Sequence, residues 1–139
     1  MAFTALAAFA LALNSAGGIA QADVVLIVSS TSPVTTLSKA QVTDIFLGKV
    51  SRFPDGTQAI PIDQAEESPA RDEFYLTYAD KSAAQMKSHW AKVIFTGRGQ
   101  PPKTASNSVE AKKIIAENPQ AIGYIERSAV DASVKVLRP

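Results

Sequence analysis

The 139-residue sequence contains no cysteine, which excludes disulfides, thiol nucleophiles and cysteine-based metal clusters. It has a single histidine, His89, so a histidine metal triad cannot form within one chain. Charge of one sign is not in excess: 14 Lys and Arg stand against 13 Asp and Glu, for a formal net charge of +1. No basic run lays a positive stripe along which a phosphate backbone could lie, so nucleic acid is not an expected partner. What is present is the composition of a folding chain of single-domain length, with 46% hydrophobic and 19% charged residues.

Charged side chains are absent from Met1 to Ala22. Phe3, Leu6, Phe9, Leu11 and Leu13 make an Ala-padded apolar run that gives way to the small, polar stretch Asn14 to Gly18. Ala20-Gln21-Ala22 then fits the small-x-small rule of signal peptidase. Residues 1–22 read as a secretory signal peptide without a basic n-region, and 23–139 as one exported, periplasmic domain. The alternative, a membrane anchor, is short of the ~20 apolar residues that a bilayer core demands.

Val24 to Val28 is β-branched and apolar on both faces, as in a strand covered from both sides by helices. Ser38 and Gln41 form a capping box, flanked by the staple pair Leu37 and Val42, and Val42, Ile45 and Phe46 give the helix one apolar face before Gly48 ends it. Ala59 to Asp63 reads as a short strand, with Pro61 marking an edge or a strand end because it lacks a donor. Ser68 followed by Pro69 opens a second helix, the hydroxyl as N-cap. Ser82 and Gln85 cap a third, which carries Met86, Trp90, Val93 and Ile94, and Asn107 with Glu110 caps a fourth. Phe95 to Thr104 reads as a Gly- and Pro-rich loop, and Ala121–Ile125 and Ser133–Leu137 as closing strands. The expected fold is α/β, a three-layer sandwich with a small mixed sheet flanked by helices.

Two stretches are specific beyond this pattern: Leu37-Ser38-x-x-Gln41-Val42-x-Asp44-Ile45-Phe46-Leu47-Gly48-Lys49, and Ala121-Ile122-Gly123-Tyr124-Ile125-Glu126. With the strand and the helix opening at Ser68 between them, they resemble the phosphate-binding proteins of ABC transporters, in the type 2 periplasmic solute-binding superfamily. The resemblance runs from about Val24 to Leu137 and covers one lobe of a fold that in the family has two. It implies a non-enzymatic protein for a small oxyanion, phosphate first, without cofactor or metal. A homodimer is one way to supply the second wall.

The resemblance also places the site. Gln64 falls where the family has an arginine, Glu66 where it has an aspartate, and Glu67, Ser68, Pro69 and Ala70 replace a Gly-Ser-Gly-Thr turn. Pro69 removes one N–H donor, Ala70 a hydroxyl, and two carboxylates oppose an anion at the helix mouth. The expected ligand-binding residues are Ser68, Ala70, Arg71 and Gln64, with Arg98 of the Gly97-Arg98-Gly99 loop restoring positive charge. Asp63, Glu66 and Glu67 read as a solvated acidic face, His89 as a surface or packing residue, and Phe46, Phe74, Trp90 and Tyr124 as core. The alternative function is an accessory or sensing module that docks on a membrane transporter, porin or sensor and holds no solute.

Overall fold

The computed structural model describes residues 23–138, so the predicted signal peptide over 1–22 lies outside the described residues. In chain order the elements are β1 (Val24–Ser29), α1 (Lys39–Phe46), β2 (Ile60–Gln64), α2 (Pro69–Ala79), α3 (Ala83–Phe95), β3 (Lys103–Ala105), α4 (Ser108–Ala116), β4 (Ala121–Glu126), a 3-10 turn at Arg127–Ala129, and β5 (Val134–Leu137). The strands form one mixed sheet in the order β3-β2-β4-β1-β5. β2 runs parallel to both β3 and β4, and β1 runs antiparallel to β4 and β5.

The strand β1 alternates between two cores. Leu26 and Val28 pack with Val42, Ile45 and Phe46 of α1, Phe74 of α2 and Met86 and Trp90 of α3. Val25 and Ile27 pack on the other face with Ala111 and Ile115 of α4. Three helices on one face and one on the other make the expected three layers, and explain why β1 has no polar side of its own. An aromatic stack fills the first core: Phe74 lies flat on Tyr124 at 4.1 Å between ring centroids and meets Phe46 edge-on at 4.7 Å. Each such ring contributes about 1.5–3 kcal/mol by leaving water.

Local signals held where side chain and backbone satisfy each other within one turn. Both capping boxes, Ser38 with Gln41 and Ser82 with Gln85, are formed in both directions, and the Asn107 carboxamide oxygen accepts from the Glu110 N–H. Gly48 follows α1 at φ +76°, beside the Trp90 ring. Other expectations change. The stretch Phe95 to Thr104 is not all loop, because Lys103–Ala105 pairs with β2 as a fifth strand. β2 is accordingly interior, between β3 and β4. Pro61 is tolerated there because β3 pairs only from Ile62 onward, leaving the proline beyond the reach of that neighbour. Ile94, expected on the apolar face of α3, is exposed, and so is Phe95 after it.

Candidate functional site

The parallel arrangement of β3, β2 and β4 sends their carboxyl ends to one edge of the sheet. From that edge the chain turns directly into α4, α2 and the 3-10 turn. The N-termini of α2 and α4 therefore open side by side, at the place where open α/β sheets bind ligands. Between them lies a groove of about 540 Å³, bordered by Glu67, Ser68 and Pro69 at the entry to α2, by Ser106 to Val109 at the entry to α4, and by Glu126 and Ser128 at and after the end of β4.

Behind the groove, joined to it through Ser68 and Ser108, lies a buried polar network. Asp63, at the end of β2, is only 4% exposed, which removes it from the solvated acidic face expected of it; Glu66 and Glu67 are exposed. Its carboxylate accepts from the Tyr75 hydroxyl at 2.6 Å, from the Tyr124 hydroxyl, and from the Gln64 N–H at 2.8 Å. The Arg71 Nε stands 3.6 Å from the same carboxylate, and its guanidinium lies 5.4 Å from the centroid of the Tyr75 ring. Burial, the negative charge of Asp63 and the hydrogen bond to it raise both tyrosine hydroxyls well above their ordinary range, so both remain neutral donors. A carboxylate with this many donors and a cation beside it is compensated, which is what its burial requires.

Gln64 ties the three converging segments together. Its carboxamide nitrogen donates to the Tyr124 carbonyl at 2.9 Å and to the Ser108 hydroxyl at 3.3 Å, and its oxygen accepts from the Ser68 hydroxyl at 2.6 Å. The Ser108 hydroxyl accepts a second bond, from the Glu126 N–H at 3.1 Å. Ser68 is thus the N-cap residue of α2 by position but makes no side-chain cap bond. Its hydroxyl, expected to serve the helix, is committed to Gln64, and the first-turn N–H of Ala70 keeps no intrahelical acceptor.

Of the five residues expected to form the site, Ser68 alone borders the groove, while Gln64, bonded to it, and Ala70 are fully buried. Arg71 sits one layer behind, its guanidinium held by Asp63 and Tyr75. Arg98 is not with them: it borders a separate groove beside Leu47, Lys49 and His89. Missing from the expected set were Ser106, Asn107, Ser108 and Ser128. Asn107 was legible as a cap, but its meeting with α2 depends on the pairing of β3 with β2, and a strand of three residues leaves no periodicity to read. Among the described residues no group of three or more His, Cys, Asp or Glu could hold a metal ion, and no helix is long and apolar enough to cross a membrane.

The arrangement offers an anion two helix starts, each equivalent to about half a positive charge, and the hydroxyls of Ser106, Ser108 and Ser128. Against it stand the carboxylates of Glu67 and Glu126 at the rim.

No family model matches the chain, and no curated protein matches it. Solved structures do. A protein from Clostridium perfringens, assigned as a phosphate ABC transporter substrate-binding protein and solved with bound phosphate, superposes with a TM-score of 0.67 at 23% identity, over 84% of this chain and 44% of that one. An ABC-type phosphate transport receptor from Vibrio cholerae gives 0.64 at 18% identity, over 84% and 45%. PstS from Borrelia burgdorferi gives 0.61 at 12% identity, over 83% and 46%. The chain therefore has the fold of these phosphate-transport binding proteins and spans less than half of their length, consistent with a single lobe.

Proposed function

We propose that this chain is a one-lobe solute-binding protein without a catalytic role, whose groove between α2 and α4 receives a small oxyanion, phosphate being the first candidate. The observation that carries the reading is the convergence of two helix N-termini on one groove at the carboxyl edge of three parallel strands. The phosphate bound in the Clostridium perfringens structure supports the choice of anion. In this reading Ser68, Gln64 and Ser108 set the positions of the helix starts, the N–H groups of the first turn of α4 contact the anion, and Arg71 is spent on holding Asp63 behind them. Work beside an ABC-type importer, after export directed by residues 1–22, completes the proposal.

One wall and two rim carboxylates set the expected strength. Clamp-type sites gain affinity by closing a second surface over the ligand, so a lone lobe binds in the millimolar range, about 4 kcal/mol. A second copy of the chain facing the groove would supply the missing wall. Titration calorimetry of residues 23–139 with phosphate and with sulfate tests this: weak phosphate binding is expected, lost in Ser68→Asp through charge repulsion. Binding unchanged in that variant would put the anion elsewhere, and a flat trace at millimolar anion would leave the docking module. Sedimentation with and without phosphate reads the dimer, and a mature N-terminus at Asp23 in secreted material reads the export.

The docking alternative has an observation of its own in the second, cationic groove.

A further inference from the structure

We propose that the groove between the end of α1 and the length of α3 is a docking site for an acidic segment of another protein. The proposal goes beyond the anion site and shares no residue with it.

The groove has a volume of about 740 Å³ and is bordered by Lys49, Lys92 and Arg98 over a floor that includes Leu47, Gly48 and Val93. A depression of about 470 Å³ continues it toward the start of α3 and adds Lys81, with His89 and Lys92 common to both. No Asp or Glu borders either one. Among the described residues the ion pairs are Lys39–Asp80, Arg71–Asp63, Lys112–Asp131 and Arg127–Asp23, so Lys49, Lys81, Lys92 and Arg98 have no carboxylate partner among those residues. Four cations on one track contrast with a sequence whose formal charges sum to only +1.

Helix ends account for part of this, since cations near C-termini offset the carbonyl end of the dipole. They do not account for all of it. Three C-termini, those of α1, α2 and α3, carry about one and a half negative charges together against four cations, and the Leu47 carbonyl is already satisfied by the His89 ring Nε2 at 2.9 Å. The excess is positive and faces a concavity. The length of α3, 13 residues, gives a track of roughly 20 Å, enough for about six residues of extended chain. Carboxylates spaced along such a segment would meet the lysines and Arg98 while its apolar side chains settle on the half-buried Val93. A lipid surface is the poorer fit, because a bilayer cannot enter a groove to reach that floor.

Fluorescence anisotropy with a labelled peptide of about eight residues, alternating glutamate and leucine, tests the site on residues 23–139. Binding is expected at low salt, weakening about tenfold or more as ionic strength rises to about 0.3 M. Loss of at least tenfold is expected in Lys92→Glu and in Lys49→Glu, each checked for an unchanged melting curve, while Ser68→Asp binds the peptide as the parent does. A matching lysine–leucine peptide should not bind. No binding of the acidic peptide overturns the proposal, as does equal binding by both charge-reversed variants. Stronger retention on phosphatidylglycerol vesicles, lost in the same variants, overturns it in favour of a membrane. Competition by millimolar phosphate that removes all peptide overturns it in favour of a simple anion site.

Discussion

The two grooves are opposites in how backbone and side chains divide the charge. At the mouth of α2 and α4 the backbone is positive and the side chains, Glu67 and Glu126, are negative. At the ends of α1 and α3 the backbone is negative and the side chains, Lys49, Lys92 and Arg98, are positive. Formal charges exceed dipole charges, so long-range steering favours an anionic partner at the second groove, whereas short, directed N–H donors favour a compact anion at the first. Their supports differ in the same way. The first is backed by the buried network of Asp63, Tyr75, Tyr124 and Gln64; the second rests on Leu47, Gly48 and Val93, close to Trp90. Recognition by donors requires fixed geometry, and a network supplies it; recognition by charge requires only a surface that holds the charges near one another.

The sharpest way to break this contrast is Asp63→Ala. It strands Arg71 and two buried phenols, and a loss of about 3–5 kcal/mol in urea denaturation is expected. A variant that lost under about 1 kcal/mol would mean that the network is not what holds the first groove. Alkaline pH attacks the same network. The hydroxyls of Tyr75 and Tyr124 have raised values in the folded state against 10.0 in the free side chain. Their contribution is fully present below pH 10 and is lost as pH rises beyond it, because the unfolded tyrosines ionise first. At about pH 11 each costs about 1.4 kcal/mol. Absorbance at the phenolate band should show one tyrosine class ionising only as the chain unfolds; smooth titration of all three near pH 10 in the native state contradicts the burial. The smallest effect belongs to the second groove. A Cβ on Gly48 would lie 3.0 Å from the Trp90 ring at φ +76°, so Gly48→Ala should cost about 1–2 kcal/mol and alter acidic-peptide binding without changing phosphate binding.

Legibility followed the range of each interaction. Ser38, Ser82 and Asn107 were readable as caps because their partners lie three residues away. The pairing of Val25 and Ile27 with one core and Leu26 and Val28 with the other was readable from a strand without polar residues. The sequence marks Ser68 as a cap, yet its hydroxyl is a donor to Gln64, because the competing acceptor is brought there by the turn out of β2 rather than by the helix. Asp63 looked solvated beside Glu66 and Glu67; the two tyrosines that bury it come from α2 and from β4, the latter about sixty residues along the chain. Arg98 looked like a replacement for a lost cation, and the fold carries its loop to the other groove. β3 was missed because three residues express no pattern until β2 lies beside them.

The order of the elements other than β3, the helix starts and the doubly covered central strand were determined by the sequence alone, since each depends on side-chain chemistry within a turn or on apolar alternation along a segment. The grooves were decided by tertiary structure. A shared helix mouth requires two parallel strands to adopt a common register, and a cationic track requires Lys49 of one segment to meet Lys92 and Arg98 of another. Neither requirement is written in local spacing, because the sheet sets both through contacts between residues far apart in the chain.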